Sequence, residues 1–187
     1  ASWLFAGRNA ISAKIISGRR MVVSQDNMKT KAAVYAILEN VADPEVPVLS
    51  ILDLGIVRDV IVLADDAVEI LITPTYSGCP AMSMIAVNIK MELLSQGFKQ
   101  VKITEILSPA WSTDWMSISG KDKLRAYGIA PPQYNTAFNP HEGDAVVPCP
   151  RCESTNTQLI SQFGSTACKA LYKCSDCLEP FDYFKCH

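Results

Sequence analysis

The sequence predicts an α+β domain, in which helices pack on a small mixed sheet, followed by a C-terminal zinc-ribbon β-hairpin module. Apolar patterns give the order helix, strand, strand, helix, strand, and two C-x-x-C pairs stand near the end. With 49% hydrophobic and 19% charged residues, the 187-residue chain can bury a core. We divide it into an extension over 1–27, an α+β domain over 28–128, a linker over 129–148 and a ribbon over 149–187.

The first 25 residues carry four basic residues, four serines and no acidic residue. This composition is typical of an organellar transit peptide. Because the chain begins with Ala, and Met21 or Met28 could be a natural start, we favour a tag or an upstream extension. We expect residues 1–27 to be disordered and to carry no chemistry.

The first half of the domain contains a helix and a hairpin. Residues 28–41 have a recurring apolar face, and Asp43-Pro44 should stop that helix; the face comprises Ala33, Tyr35, Ile37, Leu38 and Val41. Two β-rich runs follow at 56–63 and 67–73. Asp65-Asp66 separates these runs and predicts a turn between paired strands.

The second half of the domain starts with a longer helix. Pro80 suits the first helical position, which makes Cys79 the N-cap, and Gly97 should close the helix. A strand over 100–107 and a short helix over 119–127 follow. Trp111 and Trp115, between them, are expected to pack in the core. The next stretch is rich in Pro, Asn and Gly without a sustained period, which predicts the linker.

The C-terminal cysteines predict a structural zinc site. Cys149 and Cys152 form one tight pair, and Cys174 and Cys177 form another. Two such pairs can complete the tetrahedral thiolate site that zinc prefers, with Gly164 at the turn of the hairpin. A module this small buries too little apolar area to fold alone, so a metal would supply much of its stability. The alternative is a module held by disulfides.

Two further cysteines, Cys168 and Cys186, exceed the needs of one tetrahedral site. In an extended strand Cys168 would share a face with Cys174. The two extra cysteines could form additional ligands, for iron among other metals, or they could be buried thiols. The sequence leaves both interpretations open.

Cys79 lies between an apolar strand and a helix, which raises the question of its chemistry. Unpaired N–H groups and the dipole at a helix N-terminus favour a thiolate, which would make Cys79 a soft metal ligand. The simpler interpretation is a small buried residue. Asp43 and Glu45 could supply oxygen ligands, or they could simply hold a turn.

The sequence argues against several functional classes. A net charge of -2 provides no basic footprint for nucleic acid, and no apolar run is long enough to span a membrane. Glu-x-x-His pairs of a di-iron oxygenase are missing, as are the glycine motifs of nucleotide sites. His141 and His187 are poorly placed to serve a cysteine nucleophile. Close cysteine pairs favour a reducing compartment, so we expect a cytoplasmic protein.

Two blocks carry a family resemblance: DPEVPVLSILDLGIVRDV at 43–60 and TPTYSGCP at 73–80. They resemble the domain of SufT-like iron-sulfur assembly factors. SPAWSTDWM, FGSTACKALYKC and EPFDYFKC are similar to the PaaD family of phenylacetate-degradation proteins, encoded with the phenylacetyl-CoA epoxidase. In the assembly family one site is lined by residues that correspond here to Asp43, Glu45, Thr75 and Cys79.

The resemblance implies an accessory protein, not an enzyme, that matures the epoxidase by assisting iron or iron-sulfur assembly. Its partners would be the oxygenase subunits, and its cofactors a structural zinc and a transient iron or cluster. The hypothesised mechanism is transient ligation by Cys79, with the ribbon and the exposed part of the tryptophan segment docking the client. The alternative is a docking adaptor that transfers no metal. The oligomeric state stays open, a homodimer included.

Overall fold

The structure, a computed structural model, describes residues 30–133 and 146–185. The predicted extension, the centre of the predicted linker and Cys186 lie outside the described residues. In chain order the elements are α1 (Lys31–Leu38), β1 (Val57–Val62), β2 (Ala67–Ile72), α2 (Ala81–Ser95), β3 (Gln100–Glu105), a short 3-10 turn (Thr113–Trp115), α3 (Ile118–Tyr127), β4 (Ile129–Ala130), β5 (Thr157–Ser161), β6 (Lys169–Cys174) and β7 (Pro180–Phe184).

The first sheet has the order β1-β2-β3 and is mixed, as predicted. Strands β1 and β2 pair antiparallel, and β3 joins β2 in parallel after the crossover through α2. Asp65 and Asp66 both have a φ of 58°. Positive φ at two successive turn residues matches the right-handed twist of a hairpin, so the predicted turn is confirmed.

Two helices cover this sheet and close its core. The inward face of α2 consists of Ala81, Met82, Ile85, Ile89 and Leu93. They share one core with the apolar residues of β1 and β2, among them Val60, Val68 and Ile70. Helix α2 ends before Gly97, whose φ is 84°, so the predicted helix stop is confirmed.

Helix α1 differs from its prediction in length and face. It spans residues 31–38 instead of 28–41. The Thr30 hydroxyl caps its N-terminus by accepting from the Ala33 N–H at 3.2 Å, and the helix ends at Leu38, before the predicted stop at Asp43-Pro44. Val34 and Leu38 are the buried pair, whereas Ala33 is exposed. The predicted apolar face was therefore only partly correct. It included Leu38, but it named Ala33 and Tyr35 where the buried residue is Val34.

The C-terminal sheet has the order β4-β7-β6-β5, which is larger than the predicted hairpin. The hairpin itself, β5 with β6, is present, and β7 adds to β6 antiparallel. Strand β4 pairs in parallel with β7, so the linker predicted from residue 129 is wrong at its start. Among the helices of the described residues, none is long and apolar enough to cross a membrane.

Candidate functional site

The four paired cysteines of the C-terminal module come together at one point. Their sulfur atoms all lie within 4.8 Å of one another, with Cys149 and Cys177 at 3.7 Å and Cys152 and Cys174 at 3.6 Å. Four thiolates about 2.3 Å from one tetrahedral zinc ion would be about 3.8 Å apart. A disulfide needs about 2.05 Å, so these residues are free thiols that fit zinc.

The two cysteine pairs share a local geometry that suits metal ligation. The Cys177 N–H donates to the Cys174 sulfur at 3.5 Å, and this bond is the main cause that lowers the pKa of Cys174 to about 7. Glu153 and Leu178 each follow the second cysteine of a pair, with φ of 59° and 66°. Zinc held here would act structurally, because all four ligand positions are filled by protein and none is left for a substrate.

Cys79 is placed by a tight turn over 76–79 that precedes α2. The Cys79 N–H donates to the Tyr76 carbonyl at 3.3 Å, and Gly78 has a φ of 83°. A positive φ at the third residue of a turn favours glycine, which explains its position in the sequence. The N-cap of α2 is Pro80 and not Cys79, so the predicted cap is wrong by one residue.

The Cys79 thiol is half-buried, and its predicted thiolate character is wrong. Burial raises its pKa, and the charges of Glu45 and Asp43 act in the same direction. The Ala81 N–H and the Tyr76 hydroxyl donate to the sulfur and oppose this effect without overcoming it. The helix start therefore contributes as expected, but desolvation outweighs it.

Asp43 holds the loop that carries Glu45. Its Oδ1 accepts from the N–H groups of Glu45 at 2.8 Å and Val46 at 2.7 Å, and the residue is only 8% exposed. Burial is the first cause that raises the pKa of Asp43. The sequence left Asp43 as either an oxygen ligand of a metal or a residue that holds a turn, and these two hydrogen bonds are those of a residue that holds a turn. Glu45 itself is half-buried, and its charge reaches both Cys79 and Tyr76.

Cys168 lies apart from the four ribbon cysteines, against the other domain. Its thiol donates to Glu45 Oε2 at 3.4 Å, and it lies 3.0 Å from the Thr166 hydroxyl. It belongs to the core that includes β1, β2 and α2, whereas Cys174 belongs to the ribbon core. Cys168 is therefore a buried thiol and not an additional ligand of the ribbon metal.

Thr75 lines a cavity of about 190 Å³ beside the Cys79 turn. The other lining residues are Thr73, Pro74, Tyr76, Ser77, Leu107, Ala110 and Trp111. Within the described part of the chain, the Thr73 hydroxyl is buried here without a hydrogen-bond partner. The tryptophan segment thus forms one wall of the cavity, but Trp111 is only 5% exposed and belongs to the core, as predicted.

The structure thus brings Asp43, Glu45 and Cys79 into one neighbourhood. It adds Tyr76, which the sequence analysis missed, and it places Cys168, predicted only as a possible extra ligand or a buried thiol, beside Glu45. Tyr76 was missed although it lies within the TPTYSGCP block, where a phenol three residues before the cysteine was the available signal. Cys168 gave only the weak signal of a surplus cysteine, because its contact with Glu45 spans the two halves of the chain.

Comparison with known proteins gives two family matches. Residues 31–104 match the family described as iron-sulfur cluster assembly protein, and residues 134–185 match the PaaD zinc beta ribbon domain. A protein of Escherichia coli (strain K12), provisionally named as a subunit of 1,2-phenylacetyl-CoA epoxidase, is 50% identical over 155 residues, covering 82% of this chain and 91% of the relative. The chain belongs to the PaaD family.

Other relatives match about half of this PaaD-family chain. A protein of Porphyromonas gingivalis named Fe-S protein maturation auxiliary factor is 35% identical over 96 residues, covering 51% of this chain and 90% of the relative. A crystal structure of the domain of unknown function DUF59 from Bacillus anthracis is 31% identical, with a TM-score of 0.48, covering 50% of this chain and 90% of the other.

Proposed function

We propose that this PaaD-family chain is an accessory protein that handles iron for a phenylacetyl-CoA epoxidase, and that it does not catalyse the oxygenation. The name of the E. coli relative supports the epoxidase as the protein that is served, and the name of the Porphyromonas relative supports a role in the maturation of Fe-S proteins. The observation that carries the proposal is the meeting of the Cys79 thiol, the Glu45 carboxylate and the Tyr76 phenol in one half-buried place.

In the proposed mechanism, iron is cargo that Cys79 holds briefly. The thiol is protonated at rest, because burial raises its pKa, so ligation releases its proton to solvent. The Tyr76 hydroxyl and the Ala81 N–H already donate to the sulfur and would stabilise the thiolate once it forms. A thiol that prefers its proton binds metal reversibly, which suits a carrier better than a storage site.

The carboxylates have different roles in this proposal. Glu45 is half-buried and supplies an oxygen ligand, while Asp43 keeps the loop in place through its two N–H contacts. Thr75 lines the adjoining cavity, where a side chain of the client could enter. The free thiols of the described residues are consistent with action in the cytoplasm, where thiols are kept reduced.

The ribbon has a structural role in this proposal. Zinc held by Cys149, Cys152, Cys174 and Cys177 would stabilise the module by an amount on the order of 10 kcal/mol, the scale known for small zinc modules. The sheet so fixed keeps β7 packed against the α+β domain. Oxygenase subunits are the proposed partners, and the exposed Leu107 at the cavity rim is a candidate contact.

A second candidate is a docking adaptor that binds the oxygenase without transferring metal. One observation favours it: the cavity beside Thr75 joins a buried unpaired hydroxyl to exposed apolar surface at Leu107, as a peptide-binding pocket does. The adaptor predicts tolerance of Cys79→Ser. It also predicts that Cys152→Ser, which damages the ribbon, strongly reduces epoxidase activity.

The two candidates are separated in cells that express the epoxidase with variants of this chain. Cys79→Ala should leave the accessory protein folded with one zinc per chain, while the purified epoxidase loses iron and activity. Cys152→Ser, which removes a zinc ligand of the ribbon, is the positive control, because both candidates predict that the epoxidase loses activity in its presence. Full iron and activity in the epoxidase from Cys79→Ala cells would overturn iron handling and favour the adaptor.

A further inference from the structure

Cys168 belongs to the C-terminal module by sequence but reaches the site of the α+β domain. Its thiol donates to Glu45 Oε2 at 3.4 Å and lies 3.0 Å from the Thr166 hydroxyl. The same Glu45 carries the charge that acts on Cys79. One carboxylate therefore contacts one thiol directly and acts electrostatically on a second, and the two thiols come from different halves of the chain.

Tyr76 connects the same two thiols. Its hydroxyl donates to the Cys79 sulfur, and it lies within electrostatic reach of both Glu45 and Cys168. Cys79, Tyr76, Glu45 and Cys168 thus form one cluster, which we call the two-thiol cluster. The cluster exists only because the ribbon module packs on the α+β domain.

The backbone around Cys168 is held firmly in place. The Lys185 N–H donates to the Cys168 carbonyl at 2.9 Å, and the Lys169 N–H donates to the Thr166 carbonyl at 3.1 Å. Cys168 is 4% exposed and packs in the core of the α+β domain. Its position next to Glu45 is therefore set by the sheet of the ribbon and not by a loose loop.

The chemistry of the cluster points to a soft or borderline divalent cation. Two thiolates and one carboxylate form a mixed S₂O ligand set, which suits Fe²⁺ or Zn²⁺ better than Mg²⁺ or Ca²⁺. With a divalent ion, this ligand set stays anionic. Two buried lysines, Lys169 and Lys185, interact electrostatically with Cys168 and favour such a charge, although Lys169 also pairs with Asp182 at 3.9 Å.

We propose that Cys168 is the second thiol ligand of the iron-handling site, so that the cargo is held between Cys79 and Cys168 with Glu45. This proposal rests on the function proposed above and adds the ribbon module to the site. Among the described residues, the group of side chains close enough together to hold a metal as they stand is that of the four ribbon cysteines, and the two-thiol cluster is not. Iron would therefore have to draw the two-thiol cluster closer, with both thiol protons released to solvent.

A simpler role for Cys168 would be to fill space beside Glu45. Its thiol is satisfied by Thr166 and Glu45, as a packed cysteine should be. The two roles differ in what iron binding does: a ligand adds a sulfur neighbour to the iron, whereas a packing residue does not. Counting the sulfur neighbours of bound iron therefore separates them.

The test loads the full-length protein with Fe(II) without oxygen, while the ribbon stays saturated with zinc. X-ray absorption at the iron edge then counts sulfur atoms around iron alone, because zinc does not contribute there. We expect two sulfur neighbours in the wild type and one in Cys168→Ser or in Cys79→Ser. Each variant should lose at least about 10-fold in Fe(II) affinity, since loss of an outer partner of a ligand alone costs roughly 10- to 100-fold, and should keep one zinc per chain.

The outcomes separate this inference from the proposed function. One sulfur neighbour in the wild type, with unchanged affinity in Cys168→Ser and lost affinity in Cys79→Ser, would overturn the role of Cys168 and leave iron handling intact. A wild type that binds no Fe(II) beyond the zinc site would overturn both. If Cys168→Ser does not fold, the sulfur count of the wild type decides alone.

Discussion

The rings of Trp111 and Phe184 meet edge to face, with centroids 6.3 Å apart and planes at 73°. Trp111 belongs to the α+β domain, where its Nε1 donates to the Leu54 carbonyl at 2.9 Å, and Phe184 ends the last strand of the ribbon. Trp111 lies outside both family-matched ranges, but the core that it shares with Phe184 contains residues of both, 31–104 and 134–185. A substitution that damages the ribbon should consequently also disturb the structure around Cys79.

Phe184→Ala should destabilise the whole protein. Phe184 is 2% exposed, and truncation of a buried Phe costs about 3 kcal/mol of unfolding free energy. Chemical denaturation of the zinc-loaded protein, followed by tryptophan fluorescence, measures the loss. Phe163→Ala is the control in the same module, because Phe163 is 59% exposed and should cost no more than about 1 kcal/mol. Equal losses in the two variants would contradict the shared core.

Glu153→Gly should stabilise the ribbon. Glu153 is exposed and has a φ of 59°, a left-handed conformation that costs a residue with a Cβ about 1–2 kcal/mol. Glycine avoids this cost. Because glycine also has more conformational entropy in the unfolded chain, part of the gain is cancelled, and the free energy of unfolding should rise by about 0.5 kcal/mol. Unfolding of the zinc-loaded protein measures it. Glu153→Ala, which keeps the Cβ, should show no gain, and a similar gain there would contradict the argument.

Asp53→Asn should cost stability at neutral pH. The Asp53 carboxylate accepts from Lys123 Nζ at 2.6 Å and from the Ser117 hydroxyl at 2.8 Å, with its side chain 5% exposed. Losing the charge-assisted part of these bonds should cost about 2 kcal/mol at pH 7. Asp59→Asn is the control, because Asp59 pairs with Lys31 at an exposed site.

The cost of Asp53→Asn should also depend on pH. Burial raises the pKa of Asp53, but Lys123, Ser117 and Ser50 together hold it below the usual value. A folded pKa below the unfolded value of about 3.9 stabilises the protein fully above that pH. The stabilisation is lost as the pH falls through the folded pKa. The difference between wild type and Asp53→Asn should therefore shrink in acid, and a constant difference would contradict the low pKa.

Cys79 should react slowly with iodoacetamide at pH 7. Burial raises its pKa, so the thiolate fraction is smaller than that of the free thiol of a cysteine in a short unstructured peptide. Its alkylation rate, followed by mass spectrometry of the Cys79 peptide, should rise about tenfold per pH unit up to its pKa. Tyr76→Phe should slow it further, because the hydroxyl that donates to the sulfur is removed. Reaction faster than the free thiol at pH 7 would contradict this account.

The features that were predicted correctly from sequence are governed by local rules. The turn at Asp65-Asp66, the helix stop at Gly97 and the paired ribbon cysteines depend on backbone conformation or on short spacings. The strand β7 was missed because its pairing with β6 and β4 is a tertiary property. The periodicity of a sequence shows that a segment can form a strand, but it does not show which other strand that segment pairs with.

The features of the site that sequence missed depend on burial and on long-range contacts. The pKa of Cys79 was predicted in the wrong direction, because the helix N-terminus is visible in the sequence whereas the desolvation of the thiol is not. The contact of Cys168 with Glu45 joins the ribbon to a loop near the N-terminus. No local pattern could predict it.

The most direct test of iron handling is a transfer measurement. The full-length protein is loaded with ⁵⁷Fe(II) without oxygen, mixed with iron-free epoxidase, and the ⁵⁷Fe in the re-isolated epoxidase is measured against an equal amount of free ⁵⁷Fe(II). We predict that the wild type delivers iron faster than free Fe(II) does, and that Cys79→Ser gives no acceleration. Equal delivery by wild type and Cys79→Ser would contradict the account.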